Sequence, residues 1–151
     1  MTLRCFGIPL RIDPSWFLVV GLLSWTLSRG YFPSEAPGFS TGAYWVMGLA
    51  AALLLFACVL LHELGHALTA RAFCIPVSGM TLFIFGGVAH IAKEASRPWI
   101  ELCITLAGPL VSIVLAWVCG QAAQAIAPSS ALPAAASALL RYLAAINTGL
   151  L

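Results

Sequence analysis

The stretch that decides how this chain folds is LFACVLLHELGHALTAR, Leu55 to Arg71. It closes a run of 26 residues, Ala36 to Leu61, that holds no Asp, Glu, Lys or Arg, and then sets two histidines and a glutamate within five positions. The run is long enough for a helix that crosses a bilayer, which needs about 20 mostly apolar residues. Ionisable groups in such a helix are costly unless they pair, line a cavity or serve a site. The helix and its polar end therefore have to be explained together.

The composition supports a membrane reading. Of 151 residues 62% are hydrophobic and 8% charged, with a mean hydropathy of +1.01, whereas a soluble domain is about half apolar and a quarter charged. The net charge of +2 rests on only seven basic and five acidic residues and says little about partners, but there is no basic patch, so the expected partner surface is the lipid bilayer and no nucleic acid is expected. Cys5, Cys58, Cys74, Cys103 and Cys119 are odd in number, widely spaced and without a CxxC pair, so they read as packing residues. Arg4, Arg11 and Asp13 precede the first apolar run, and no small-residue cleavage site ends it. That run is expected to stay as a span.

Four regions approach spanning length: Trp16–Leu27, Tyr44–Thr69, Trp99–Cys119 and Ala134–Leu151. The last reaches the final residue in AAINTGLL without a Gly, Pro or basic stop beyond it, so the chain is expected to be an N-terminal fragment of one membrane domain over 1–151. Ser28–Gly42 is rich in Gly, Pro and Ser and predicts an exposed loop. Between Ala72 and Pro98 lie β-favouring residues on both sides of Gly86-Gly87, a pair suited to a tight hairpin turn. The predicted fold is thus an all-α polytopic membrane protein of about four transmembrane helices, with a membrane-level β-hairpin between the second and third.

Basic residues near span ends set orientation. With four spans, Arg4, Arg11, Arg71, Lys93 and Arg97 fall on one side against Arg29 on the other. The N-terminus and the HELGH end of the second helix are therefore expected at the cytoplasmic face of a multi-pass protein. From Tyr44 to His62 is about 27 Å of helix.

On a helix, residues four apart share a face, so His62 and His66 can aim their imidazoles at one point. That is a two-histidine zinc clamp. Glu63 is turned by about 100° from His62, close enough to take a proton from a water that the metal activates without being a ligand. HExxH metalloproteases work in this way. A chance HExxH is expected about once in a few hundred chains of this size, and an apolar helix makes chance a poorer account still.

Other residues have plainer explanations. Gly65 removes a side chain beside the clamp, which serves either helix packing or close approach of a ligand. Cys58, one turn before His62, reads as a buried hydrophobe and His90 as a polar residue on a wet strand face, although each is a conceivable ligand. Glu101 suits the N-terminal dipole of the third helix. Gly108 and Pro109 in LAGPLVS predict a kinked helix packed against the HELGH helix.

Taken in order, GIPLRIDPSWF, YFP, PGFS, LLHELGHALTAR, FCIPV, LFIFGGVAHI and AGPLVS resemble the site-2 proteases, intramembrane zinc metalloproteases of bacterial type, over essentially the whole chain. The resemblance implies His62 and His66 as Zn2+ ligands and Glu63 as the base. It implies a third ligand, an aspartate, in a motif that this sequence does not contain; Asn147 lies upstream of its place and takes no role from it. Asp13 stands where relatives often have histidine, and Ser112 where many have asparagine. The implied activity is hydrolysis of peptide bonds in transmembrane segments of regulatory membrane proteins, such as an anti-sigma factor, at the bacterial inner membrane.

A substrate helix must unwind before it can be cut, and Met80 to His90 is expected to offer a strand edge that holds it extended. With two imidazoles only, residues 1–151 by themselves are expected to be inactive. Two alternatives stay open on the sequence: an inactive relative that binds membrane helices, which intact Glu63 disfavours, and a transporter with a His/Glu relay, which would want further intramembrane carboxylates.

Overall fold

The computed structural model describes residues 2–5, 7–84, 86–91, 97–126 and 131–150. The chain begins with strands. β1 (Thr2–Cys5) and β2 (Ile8–Ile12) pair antiparallel with Leu3 opposite Leu10. Along β2, Ile8 and Leu10 are buried and Arg11 is exposed, the alternation of a half-buried strand. β2 runs parallel to β3 (Val77–Phe83), with Leu10 opposite Met80, and β3 turns back into the antiparallel β4 (Gly86–Ile91).

The predicted hairpin is therefore part of a four-stranded sheet in the order β1-β2-β3-β4, which enlarges the expected all-α architecture. Two details of the expectation change with it. Phe83 pairs with Gly86, so the glycine pair opens β4 instead of forming the turn. Gly86 has a φ of +123°, and a Cβ on Gly87 would stand 2.7 Å from Glu63 Cγ; the glycines serve entry to the strand and its close approach to a helix. Second, β3 is flanked on both sides, so Met80–Phe83 offers no free edge and the hairpin's open edge belongs to β4 alone.

Asp13 accepts from the hydroxyl and N–H of Ser15, which hold its carboxyl below the usual carboxylate range and tie down the start of α1 (Ser15–Thr26). The helical path does not stop there. A π-helical turn, Leu27–Tyr31, leads into α2 (Phe32–Glu35), where an exposed loop was expected from residue 28 on. The serines there satisfy their hydroxyls on the helix itself, Ser28 on the Trp25 carbonyl and Ser34 on that of Tyr31, and Phe32 is fully buried. Only 36–40 remain as the connection.

Ser40 caps α3 (Thr41–Ala72) by accepting from the Ala43 N–H at 3.3 Å. At the other end the Ile75 N–H reaches the Ala70 carbonyl at 2.9 Å and Cys74 takes a φ of +59°, the left-handed residue of a Schellman stop. Pro98 occupies the first turn of α4 (Pro98–Ala125), which continues through Pro109. α5 (Ala131–Gly149) completes the described chain.

α3 and α4, of 32 and 28 residues, are long and apolar enough to cross a membrane. The first and fourth expected spans coincide with α1 and α5, of 12 and 19 residues. Phe17, Leu18, Leu22 and Trp25 on α1, and Leu102, Leu110, Val114 and Trp117 on α4, are exposed, a surface suited to lipid rather than water. Lys93, expected among the orienting charges, lies outside the described residues.

Two apolar clusters join these parts. Phe32, Met47, Ala51, Cys58, Tyr142 and Leu143 pack α2, α3 and α5 together, and Ile8, Leu10, Leu64, Ala67, Met80 and Leu82 seal the sheet onto α3. Glycines set the helix crossings: a Cβ on Gly48 would stand 2.5 Å from the Ser24 carbonyl oxygen of α1, and one on Gly65 2.9 Å from that of Ala107 in α4.

Candidate metal centre

α3 places His62 and His66 on one face, half-buried, with their Nε2 atoms 3.1 Å apart. The facing stripe of α4 is Ile104, Gly108 and Ser112, also spaced by four. His66 Nδ1 donates to the carbonyl oxygen of Ile104 at 2.7 Å. A carbonyl only accepts, so Nδ1 carries the proton and Nε2 presents a lone pair. His62 Nδ1 lies 2.8 Å from the hydroxyl of Ser112, a fully buried residue that can donate or accept.

This arrangement allows two proton patterns. Without a cation, His62 Nε2 must carry a proton to face the lone pair of His66, and Ser112 donates to Nδ1. To hold a cation between the rings, His62 would carry its proton on Nδ1 with Ser112 accepting, which would leave both Nε2 lone pairs free to ligate. Two imidazole nitrogens of a tetrahedral zinc at 2.0–2.1 Å are separated by about 3.3 Å, close to the spacing present. The residues fit zinc in donor type, protonation and spacing.

Gly108 makes room for the pair. A Cβ on it would overlap Nε2 of His66 and stand 2.6 Å from Nε2 of His62. Any larger residue there would push the rings away from the point at which they converge.

Glu63 faces the sheet. Its Oε2 accepts from the backbone N–H of Ala89 on β4 at 3.1 Å, and its Cγ lies against Gly87. That hydrogen bond uses an N–H that β4 does not spend on β3, so the carboxylate docks on the strand's outer edge. Glu63 is thereby held beside the imidazoles by a segment more than twenty residues away in sequence.

Other sequence candidates lie elsewhere. Cys58 is buried in the cluster with Leu27, Phe32 and Tyr142. The His90 ring pairs with the Thr81 hydroxyl at 3.0 Å and is exposed. Glu101 sits in the first turn of α4. Among the described residues no group of three or more His, Cys, Asp and Glu converges as a metal cage. The packing of the Gly108 stretch on the HELGH helix is as expected from the sequence, whereas the hydrogen bonds that Ile104, Ser112 and the Ala89 N–H give to the imidazoles and Glu63 were not assigned from it. The spacing of four from Ile104 through Gly108 to Ser112 was the available signal for those on α4.

The family model described as Peptidase family M50 matches residues 50–149. A relative from Synechocystis sp., named "Putative zinc metalloprotease sll0528", is 51% identical over 110 residues, 73% of this chain and 28% of that protein. Rip3 of Mycobacterium tuberculosis, given the same description, is 32% identical over 144 residues, 95% of this chain and 36% of that one. The chain thus spans about a third of the length of these curated relatives. The solved Site-2 Protease from Methanocaldococcus jannaschii shares the fold, with a TM-score of 0.58 over 97% of this chain and 62% of that chain, at 23% identity.

Proposed function

The chain belongs to peptidase family M50, the membrane-embedded site-2 proteases, and from that premise we propose that the protein carrying it is an intramembrane zinc metalloprotease that cuts transmembrane segments of regulatory membrane proteins. The observation that carries this reading is the convergence of His62 Nε2 and His66 Nε2 at 3.1 Å, with Glu63 fixed beside them by Ala89. His62 and His66 are assigned as metal ligands and Glu63 as general base.

When bound, zinc supplies Lewis acidity that polarises a carbonyl and activates water. The chain's own groups do the rest. Ile104 and Ser112 hold the two imidazoles by their Nδ1 atoms, so that each ring presents Nε2 in a fixed direction. The Ala89 N–H restrains Oε2 of Glu63, leaving Oε1 to take a proton from the attacking water and return it to the leaving amine. His62 and His66 would hold two of the four positions of a tetrahedral zinc, leaving the others for a further protein ligand and for the water it would activate.

Glu63 on the outer edge of β4 also suits substrate handling. A span unwound over a few residues can lie along that edge, with the Gly87 and Ile91 backbones on either side of the occupied Ala89 N–H, and so bring a peptide bond to the carboxylate. The basic residues on the HELGH side support a cytoplasmic position for this face, and the substrate class in this reading is a single-span regulator such as an anti-sigma factor in a bacterial inner membrane.

The test is reconstitution of the full-length protein in proteoliposomes with a single-span substrate. The reading expects a cut within the span, in the half nearer the HELGH end, lost with a zinc chelator and restored by zinc. Cleavage only outside the span, or chelator-insensitive cleavage, would refute it.

A further inference from the structure

At the end of the bundle away from the imidazoles, a cleft of about 420 Å³ opens between the connection after α2, the end of α4 and one stripe of α5. Its polar lining is Glu35, Gln124, Ser137 and Arg141, with Phe39 and Ala134 among its apolar residues. Nothing in the proteolytic reading uses it.

Arg141 is the only charged residue of α5, and it lies ten positions past Ala131, about 15 Å along the helix. A lone charge on an otherwise uncharged helix is best placed where it faces a cavity or meets a partner. The stripe formed by Ala134, Ser137 and Arg141 faces the cleft, while Ala138, Tyr142 and Leu143 pack into the core beside it. Ser137, 4% exposed, donates to the Ala123 carbonyl at 3.1 Å and pins this wall to the end of α4.

Glu35 ends α2 at the mouth of the same cleft. Both charged residues are exposed, and no ion pair joins them among the described residues. The cleft therefore presents one cation and one anion on the same lining.

We propose that this cleft binds one lipid with a phosphoethanolamine headgroup, the phosphate on Arg141 and the ammonium on Glu35. The pair of opposite charges matches such a headgroup, which carries a phosphate and an ammonium a few atoms apart. The guanidinium gives paired N–H donors to phosphate oxygens, and the carboxylate accepts from the ammonium N–H groups. A choline headgroup has no N–H to give to Glu35. A glycerol headgroup offers no cation at all, so its phosphate meets Arg141 with Glu35 unpaired. An arginine that merely stretched towards any lipid phosphate would not discriminate among the three.

The experiment is native mass spectrometry of the full-length protein released from nanodiscs of phosphatidylethanolamine, phosphatidylglycerol or phosphatidylcholine. The expected result is one phosphatidylethanolamine retained per protein, with the other two lipids held about tenfold less tightly or worse, as loss of a charged hydrogen bond predicts. R141Q should abolish retention and R141K keep part of it. E35Q should keep a bound lipid but erase the preference. Free phosphoethanolamine and inorganic phosphate should not displace the lipid; displacement by either would show a soluble ligand and overturn the assignment. So would equal retention of all three lipids by the unaltered protein, unchanged retention in R141Q, or crosslinking of the cleft to a substrate protein with no lipid bound. Each readout is binding, so failure here leaves the proteolytic reading untouched.

Discussion

Gly108 of α4 lies so close to His66 of α3 that a Cβ on it would overlap the imidazole Nε2. The gap between two helices is thus set by the ring that occupies it. Gly108→Ala is expected to leave the bundle folded, because the clash falls on movable side-chain atoms, while turning both imidazoles out of line. Zinc affinity of the full-length protein should fall about 10–100-fold or more, as for loss of other groups that orient metal ligands. A chelator competition titration measures this, with circular dichroism as the control for folding.

Ser112 is expected to act through His62. Removing its hydroxyl leaves Nδ1 of His62 without its 2.8 Å partner in a buried site, so Ser112→Ala should weaken zinc binding about tenfold or more. Ser112→Thr keeps the hydroxyl and should restore most of the affinity. A purely structural role for Ser112 would instead show as lost thermal stability with affinity unchanged.

The Ala89 N–H points out of the sheet towards Glu63, so proline at 89 removes that donor without removing a ladder hydrogen bond. Ala89→Pro should retain zinc and lower kcat for cleavage about tenfold, the value of one hydrogen bond to a charged group. Loss of zinc together with activity would show that the strand supports the whole site rather than the base.

Two glycine-related changes test the scaffold. Gly48→Ala would drive a methyl into the Ser24 backbone at 2.5 Å and should cost about 1–3 kcal/mol through the α1–α3 crossing. Cys74 holds a φ of +59° at the stop of α3, so Cys74→Gly should be neutral or stabilise by up to about 1 kcal/mol. Thermal melts in one detergent compare the two directly.

How much of this was legible in the sequence follows from which interactions are local. From Thr41 on, the charge-free run lies in one helix with His62, Glu63 and His66, so α3 and the sharing of one face by the two histidines were legible locally. The strands from Val77 to Ile91 were legible from β-favouring residues. β1 and β2 were not, although Ile8, Leu10 and Arg11 alternate, because β2 pairs with Met80–Leu82 across some 70 residues and short strands carry little signal alone. Phe32 stands in a stretch of Gly, Pro and Ser that reads as loop, and only its burial against Tyr142 shows why the helix continues. The assignment of Ser112 to His62 needed the facing of α3 and α4, which no single-helix pattern contains.

The central claim is that His62 and His66 hold the metal while Glu63 moves the proton. It is tested most directly by measuring zinc content and substrate cleavage together for the full-length protein and its Glu63→Gln and His66→Ala variants. The account predicts that Glu63→Gln keeps its zinc but cleaves about 10²–10⁴-fold more slowly, the usual weight of a general base, and that His66→Ala loses both. Cleavage by Glu63→Gln at the unaltered rate, or stoichiometric zinc in His66→Ala, would contradict it.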